Sequence, residues 1–203
     1  KTLGYLMADA ELTEMLKKAC NYVDAEVIKE IEKYNIKKNQ YSGYFNYILI
    51  RDRFTEFELP KKIREIKKEV VDFAKKDWRK LSLSSQAEAA ILLADNGYQS
   101  EAESIIESLR QKARKDDYIG YYWDLEYVDK LWTASKIATA FHKVNPNDSD
   151  INNIRRWILQ TKETRNWGES RSACEAVNAI LATGTRWNNS DRKAPEITIG
   201  SEV

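Results

Sequence analysis

Four residues of types that carry covalent chemistry, Ser170, Ser172, Cys174 and Glu175, crowd into the stretch TRNWGESRSACEAVNAIL (164–181). A serine nucleophile needs a general base, and the chain holds a single histidine, His142, in a different part of the sequence. Ser172 and Glu175 also have the spacing of a capping box, in which the hydroxyl takes the third residue's N–H and the carboxylate reaches back to the cap. Ser85 and Glu88 share that spacing. The expectation is therefore two capped helices and no catalytic serine.

A second chemical candidate is DDYIGYYWDLEYVDKLW (116–132), which mixes aromatic rings with carboxylates. Asp124, Glu126 or Asp129 beside stacked aromatics would suit a glycosidase, where an acid and a base or nucleophile flank a sugar. The same stretch would also serve as an inter-helix loop anchored by its rings. Tyr121, Tyr122, Trp123, Asp124, Glu126 and Trp132 are the residues placed in this ligand or domain-contact loop. His142 follows Phe141 near a helix end, where a cation meets the negative end of the dipole. With no second histidine or cysteine pair beside it, no metal site is expected, and no phosphate loop or nucleotide fingerprint implies a cofactor.

The elements that position these residues are helical. In 203 residues there are only 7 Gly and 3 Pro, with 42% hydrophobic and 32% charged residues, a globular composition short of the turns of a β sandwich. A net charge of +1 offers no field to draw nucleic acid or an anionic membrane. Apolar residues at Leu12, Leu16, Ala19, Val23, Val27, Ile31 and Tyr34 predict one helix over 8–34. Further helices are predicted over 41–53 and from Pro60, with Ile63, Ile66, Val70, Phe73 and Ala74 inward.

Beyond that point the chain repeats. Ser85-Gln-Ala-Glu88 runs to Gly97, Thr133-Ala-Ser-Lys136 to Asn145, and Ser172-Ala-Cys-Glu175 to Gly184. Gly and Asn at those ends suit a left-handed helix terminator. The first two copies are each followed by a second helix, over 100–113 and over 149–159. The latter carries Ile151, Ile154, Ile158 and Leu159 as its apolar positions. A helical hairpin recurring every 40 to 50 residues or so is the mark of a stacked or circular all-α array. Pro195 to Gly200 alternates like a strand, which divides the chain into a helical domain over 1–185 and, over 186–203, a linker with the first strand of a β domain. Lys1 in place of an initiator methionine is read as a chain cut from something longer or already processed.

Trp78 to Ala113, GYYW (120–123) and WILQTKETRNWGESRSACEAVNAILATGTRW (157–187) resemble the helical domain of bacterial alpha-2-macroglobulin-like proteins. Fainter similarity reaches back through Met15 to Tyr34. The resemblance implies an α/α toroid followed by a β domain, in an envelope-associated or secreted protein that traps or inhibits proteases. Its implied partners are neighbouring β domains of a parent chain, and proteases. Many members carry a thioester built from Cys-x-Glu-Gln; here Val177 stands three residues after Cys174 and Val23 three after Cys20, so neither cysteine can form it. The sequence also departs from the family at Lys130 and Trp132, where proline and glutamate are expected. The functional expectation is a non-enzymatic toroid domain without a cofactor. Its alternatives are a toroid glycosidase or polysaccharide lyase and a helical-repeat interaction module.

Overall fold

The computed structural model describes residues 9–184, except 35, 37, 125–128, 165, 166 and 168. The strand expected over 195–200 and the boundary at 185/186 lie outside the described residues.

The chain begins with α1 (Asp9–Tyr34), a 26-residue helix. Its buried face is rotated from the expected one: Cys20, Asp24 and Val27 are buried, whereas Val23 and Tyr34 are exposed. An aspartate is inside because α2 supplies its cation, and a periodicity that reads only apolar residues misses such a face. A 3-10 segment (Lys38–Tyr44) leads into the short α2 (Phe45–Arg51), whose Phe45 and Ile48 are fully covered. Pro60 stands at the N-cap of α3 (Lys61–Asp77), where its missing N–H costs nothing, and Ile63, Ile66, Val70, Phe73 and Ala74 are buried as expected.

The repeats then unfold as helical hairpins. The helices are α4 (Leu83–Asp95), α5 (Gln99–Gln111), α6 (Lys130–Val144), α7 (Asp150–Thr164) and α8 (Ser170–Thr183). Alternate helices lie side by side, α4 on α6 and α6 on α8, while α5 packs on α4 and α6, and α7 on α6 and α8. Small residues allow this close approach: Ala87, Ala90, Ser135 and Ala138 are completely buried. Leu159, expected inward on α7, is exposed, because Ile151, Ile154 and Ile158 already fill the buried face.

Helix α4 ends as a left-handed Schellman cap. Gly97 has φ +83°, the Tyr98 N–H donates to Leu93 O at 2.9 Å, and the Gly97 N–H donates to Ala94 O at 3.3 Å. The other two copies end differently: Asn145 is extended (φ −143°) and Gly184 has φ −84°. The expectation of a left-handed terminator in all three is thus corrected for the last two.

Both capping boxes are corrected as well. Ser82 caps α4 and accepts from the Ser85 N–H at 3.3 Å, which places Ser85 inside the helix. Glu169 occupies the cap of α8 without a side-chain bond, and Ser172 lies within its first turn.

Between α5 and α6 the chain forms an unexpected hairpin, β1 (Arg114–Asp116) paired antiparallel with β2 (Gly120–Tyr122). The Asp116 carboxylate closes its turn by accepting from the Tyr118 and Ile119 N–H groups at 2.8 and 2.9 Å. Gly120, with φ +95°, lies against the backbone of α7; a Cβ there would sit 2.2 Å from Asn153 O and 2.9 Å from Trp157 N. Gly120→Ala must both strain φ and push α7 away. It is expected to cost about 2–3 kcal/mol, measured as a lower urea midpoint at unchanged slope.

Candidate functional site: a clamped lysine on a concave face

The repeat register places charge where adjacent helices meet. Glu88 of α4, Lys136 of α6 and Glu175 of α8 are equivalent positions of the three copies, and Lys136 Nζ lies 3.4 Å from a carboxylate oxygen of each glutamate. The side chains are only 10%, 12% and 17% exposed for Lys136, Glu88 and Glu175, so water screens the cluster weakly. Two turns further along, Lys143 of α6 pairs with Asp95 of α4 at 2.5 Å. Helix α4 therefore presents acids and α6 bases along one wall.

Trp132 covers the other end of the cluster. The Lys136 ammonium lies 4.7 Å from its ring centroid and the Arg171 guanidinium 4.0 Å, both within cation–π range. Burial pushes the Glu88 carboxyl above its ordinary value, against the opposing pull of Lys136.

Glu88, Asp95, Trp132, Lys136, Lys143 and Glu175 line a cavity of about 920 Å³. Its opposite wall is the end of α2 and the loop 52–59, which Arg51 holds in place. The Arg51 guanidinium is buried; its Nε donates to both oxygens of Asp24 at 3.1 Å, and its two terminal nitrogens donate to the carbonyls of Phe54, Phe57 and Glu58 at 3.0–3.1 Å. Tyr47 donates its phenol to the same Asp24 at 2.6 Å, and burial with this bond raises the phenol's pKa. Asp52 meets Lys67 of α3 at 2.8 Å. The cavity thus has two walls on which acids are paired with bases.

Most of the aromatic-acidic loop is committed elsewhere. Trp123 is buried and donates its indole N–H to Leu109 O at 2.9 Å. Tyr122 stacks on Trp157 with centroids 5.9 Å apart, and Tyr121 lies under the Lys115 ammonium. Asp124 is exposed and pairs with Lys130 at 2.8 Å, a bond that lowers its carboxyl's pKa. Asp129 caps α6 by accepting from the Trp132 N–H at 2.9 Å, and its second oxygen accepts the buried Ser172 hydroxyl. Glu126 lies outside the described residues. Of the five loop residues named from sequence that the structure describes, Trp132 is the one that lines the cavity.

The reactive-looking stretch is dispersed in the same way. Ser172 ties α8 to the cap of α6, Glu175 clamps Lys136, and Cys174 is an exposed thiol. Cys20 is buried, which raises its thiol pKa, and the two cysteines form no disulfide. His142 is half-buried with Nδ1 unpartnered. Among the described residues no group of three or more His, Cys, Asp or Glu could hold a metal ion, and no helix is long and apolar enough to cross a membrane.

Sequence reasoning passed over Lys136, Asp24 and Arg51. The first had a signal: the copies superpose Glu88, Lys136 and Glu175, charges of alternating sign on helices that must touch. The other two had none, since neither belongs to a repeat.

The class this architecture defines is an all-α array of helical hairpins with charged residues along one concave face. No protein-family model, curated protein or solved structure matches the chain.

Proposed function

We propose that this chain is a non-enzymatic α/α-toroid domain of an alpha-2-macroglobulin-like protein of the cell envelope, without a thioester, in a parent chain that traps proteases. The observation that carries the reading is the clamped lysine. A hydrolase of toroid architecture needs an acid and a base left available across its cleft. Here the facing helices spend Glu88 and Glu175 on one cation, and Asp95 on another. The side-by-side row α4–α6–α8, with α5 and α7 packed behind it, is what an inner and outer helix layer would give. The motif resemblance around Trp157 to Trp187 supplies the family. Two of the residues on which a glycosidase would depend support the same reading, since Asp124 pairs with Lys130 and Asp129 caps α6.

The test uses the full-length parent, incubated with proteases of differing specificity. A trapped protease keeps its activity on a small peptide substrate and loses it on a large protein. Undiminished digestion of the large substrate by every protease, with the parent chain left uncut, overturns the proposal.

A further inference from the structure

The cavity on the concave face has a lining whose charge and polarity restrict what could fill it. Arg53 and Glu58 complete the charged residues of its walls, and with them five acidic and five basic side chains line the space, a formal charge of zero. Uncharged polar groups stand among them, Asn46 and Thr55 on the wall of α2 and its loop, Thr139 and Asn178 on the helix row. The volume of about 920 Å³ suits a small ligand, for which roughly 300–1,000 Å³ is usual.

Three classes of occupant fit this lining poorly. An ionic ligand would bring a charge for which the paired walls hold no counter-charge. An apolar ligand would strip water from the ion pairs and give them no hydrogen bond in return. An extended polypeptide needs backbone partners. The helix row bonds its N–H and C=O groups internally, and β1 and β2 do not line the cavity. In the loop, the carbonyls of Phe54, Phe57 and Glu58 already accept from Arg51.

A neutral polyol fits it. Each hydroxyl both donates and accepts, so it can bond to the carboxylate and the ammonium of one pair without upsetting their balance. The C–H faces of a sugar ring also suit an aromatic wall. Phe54 supplies one: half-buried, it lies nearly parallel to Phe57, with 14° between the ring planes and centroids 6.3 Å apart.

We propose that the cavity binds a neutral oligosaccharide and does not cleave it. Glu88, Asp95 and Glu175 are each committed to a lysine, so they orient hydroxyls and pass no proton. Glycan binding is independent of protease trapping, and either can be absent while the other stands.

The probes are short neutral oligomers of glucose, mannose, xylose and N-acetylglucosamine, with an oligogalacturonate as the acidic counterpart. Each is titrated into the whole chain by calorimetry. At least one neutral oligomer is expected to bind, more tightly than the acidic one and with an affinity little changed by added salt. Asn46→Leu and Asn178→Leu together remove a polar group from each wall, both at exposed positions. This double variant should keep its fold by circular dichroism and bind about tenfold more weakly. Asn21→Leu, exposed on α1 and outside the cavity, should bind as the parent does. A reducing-end assay should find the bound oligomer uncut. Failure of every neutral oligomer to bind, tighter binding of the acidic one, or a double variant that binds as the parent overturns the proposal. So does cleavage of the bound oligomer, which would make the face that of a glycosidase.

Discussion

Replacing Lys136 by methionine is expected to destabilise the protein by about 2–3 kcal/mol at neutral pH, read from urea or thermal unfolding. Removing one partner of a buried ion pair typically costs about 3–5 kcal/mol, because the remaining charge is left without compensation. The exposure of 10–17% in this cluster argues for the lower side of that range. The cost has a pH signature. Glu88 already titrates above its ordinary value near 4.5, since burial outweighs the pull of Lys136. Between the unfolded and folded values the folded chain holds more protons, so stability falls as pH rises through that window. Without the cation the folded value moves higher still, and the penalty is full only where Glu88 is ionised. The gap between Lys136→Met and the parent should therefore narrow as the pH is lowered from 7 toward 4.5. A control separates charge from packing: Glu88→Gln, Lys136→Met and Glu175→Gln together remove all three charges at nearly constant volume. This triple variant should recover to within about 1 kcal/mol of the parent. A deficit independent of pH, or a triple variant as unstable as the single one, would show that Lys136 matters by its methylenes and not by its charge.

That cluster also marks how far sequence reasoning reaches. The amphipathic stripes of α3 and α7 were legible because apolar residues at helical spacing have one economical use, and all but Leu159 are buried where the pattern put them. The hairpins were legible because the copies repeat. Helix ends were harder, since Leu81-Ser-Leu-Ser-Ser85 offers three serines within one turn, and only the fold selects Ser82 as the cap. The β hairpin left no period at all: each strand is three residues long, and its position depends on Gly120 fitting against α7. Ser172 shows the tertiary limit. Its spacing to Glu175 satisfies a local motif, yet Asp129, 43 residues away, takes the hydroxyl, and Glu175 is drawn off by Lys136. A local pattern states what a side chain could do. Its partners across the fold state what it does.

Arg51 depends on partners across the fold still more than Ser172 does, and no local pattern announces its role. Arg51→Ala is expected to cost about 3–5 kcal/mol. The charge that would remain is Asp24, 1% exposed on α1 and supported by the Tyr47 phenol alone. The loop carbonyls of Phe54, Phe57 and Glu58 would lose their donors at the same time. Arg51→Lys should recover little of this: an ammonium can meet Asp24 or the loop, whereas a planar guanidinium reaches both at once. The discriminating variant is Asp24→Asn, which keeps the shape and a hydrogen-bonding side chain but strands the guanidinium charge. If the ion pair is what holds α1 to α2, Asp24→Asn falls near Arg51→Ala and the double variant costs far less than the two losses added together. If the loop carbonyls are the main partners, Asp24→Asn is mild and Arg51→Ala alone is severe. Amide exchange locates the difference: loss of the loop contacts should speed exchange at Phe54 and Phe57, whose N–H groups close turns onto Arg51 O and Phe54 O, while α7 and α8 stay protected. Since this loop forms the wall opposite Glu88, Lys136 and Glu175, Arg51 sets the width of a cavity that it also lines.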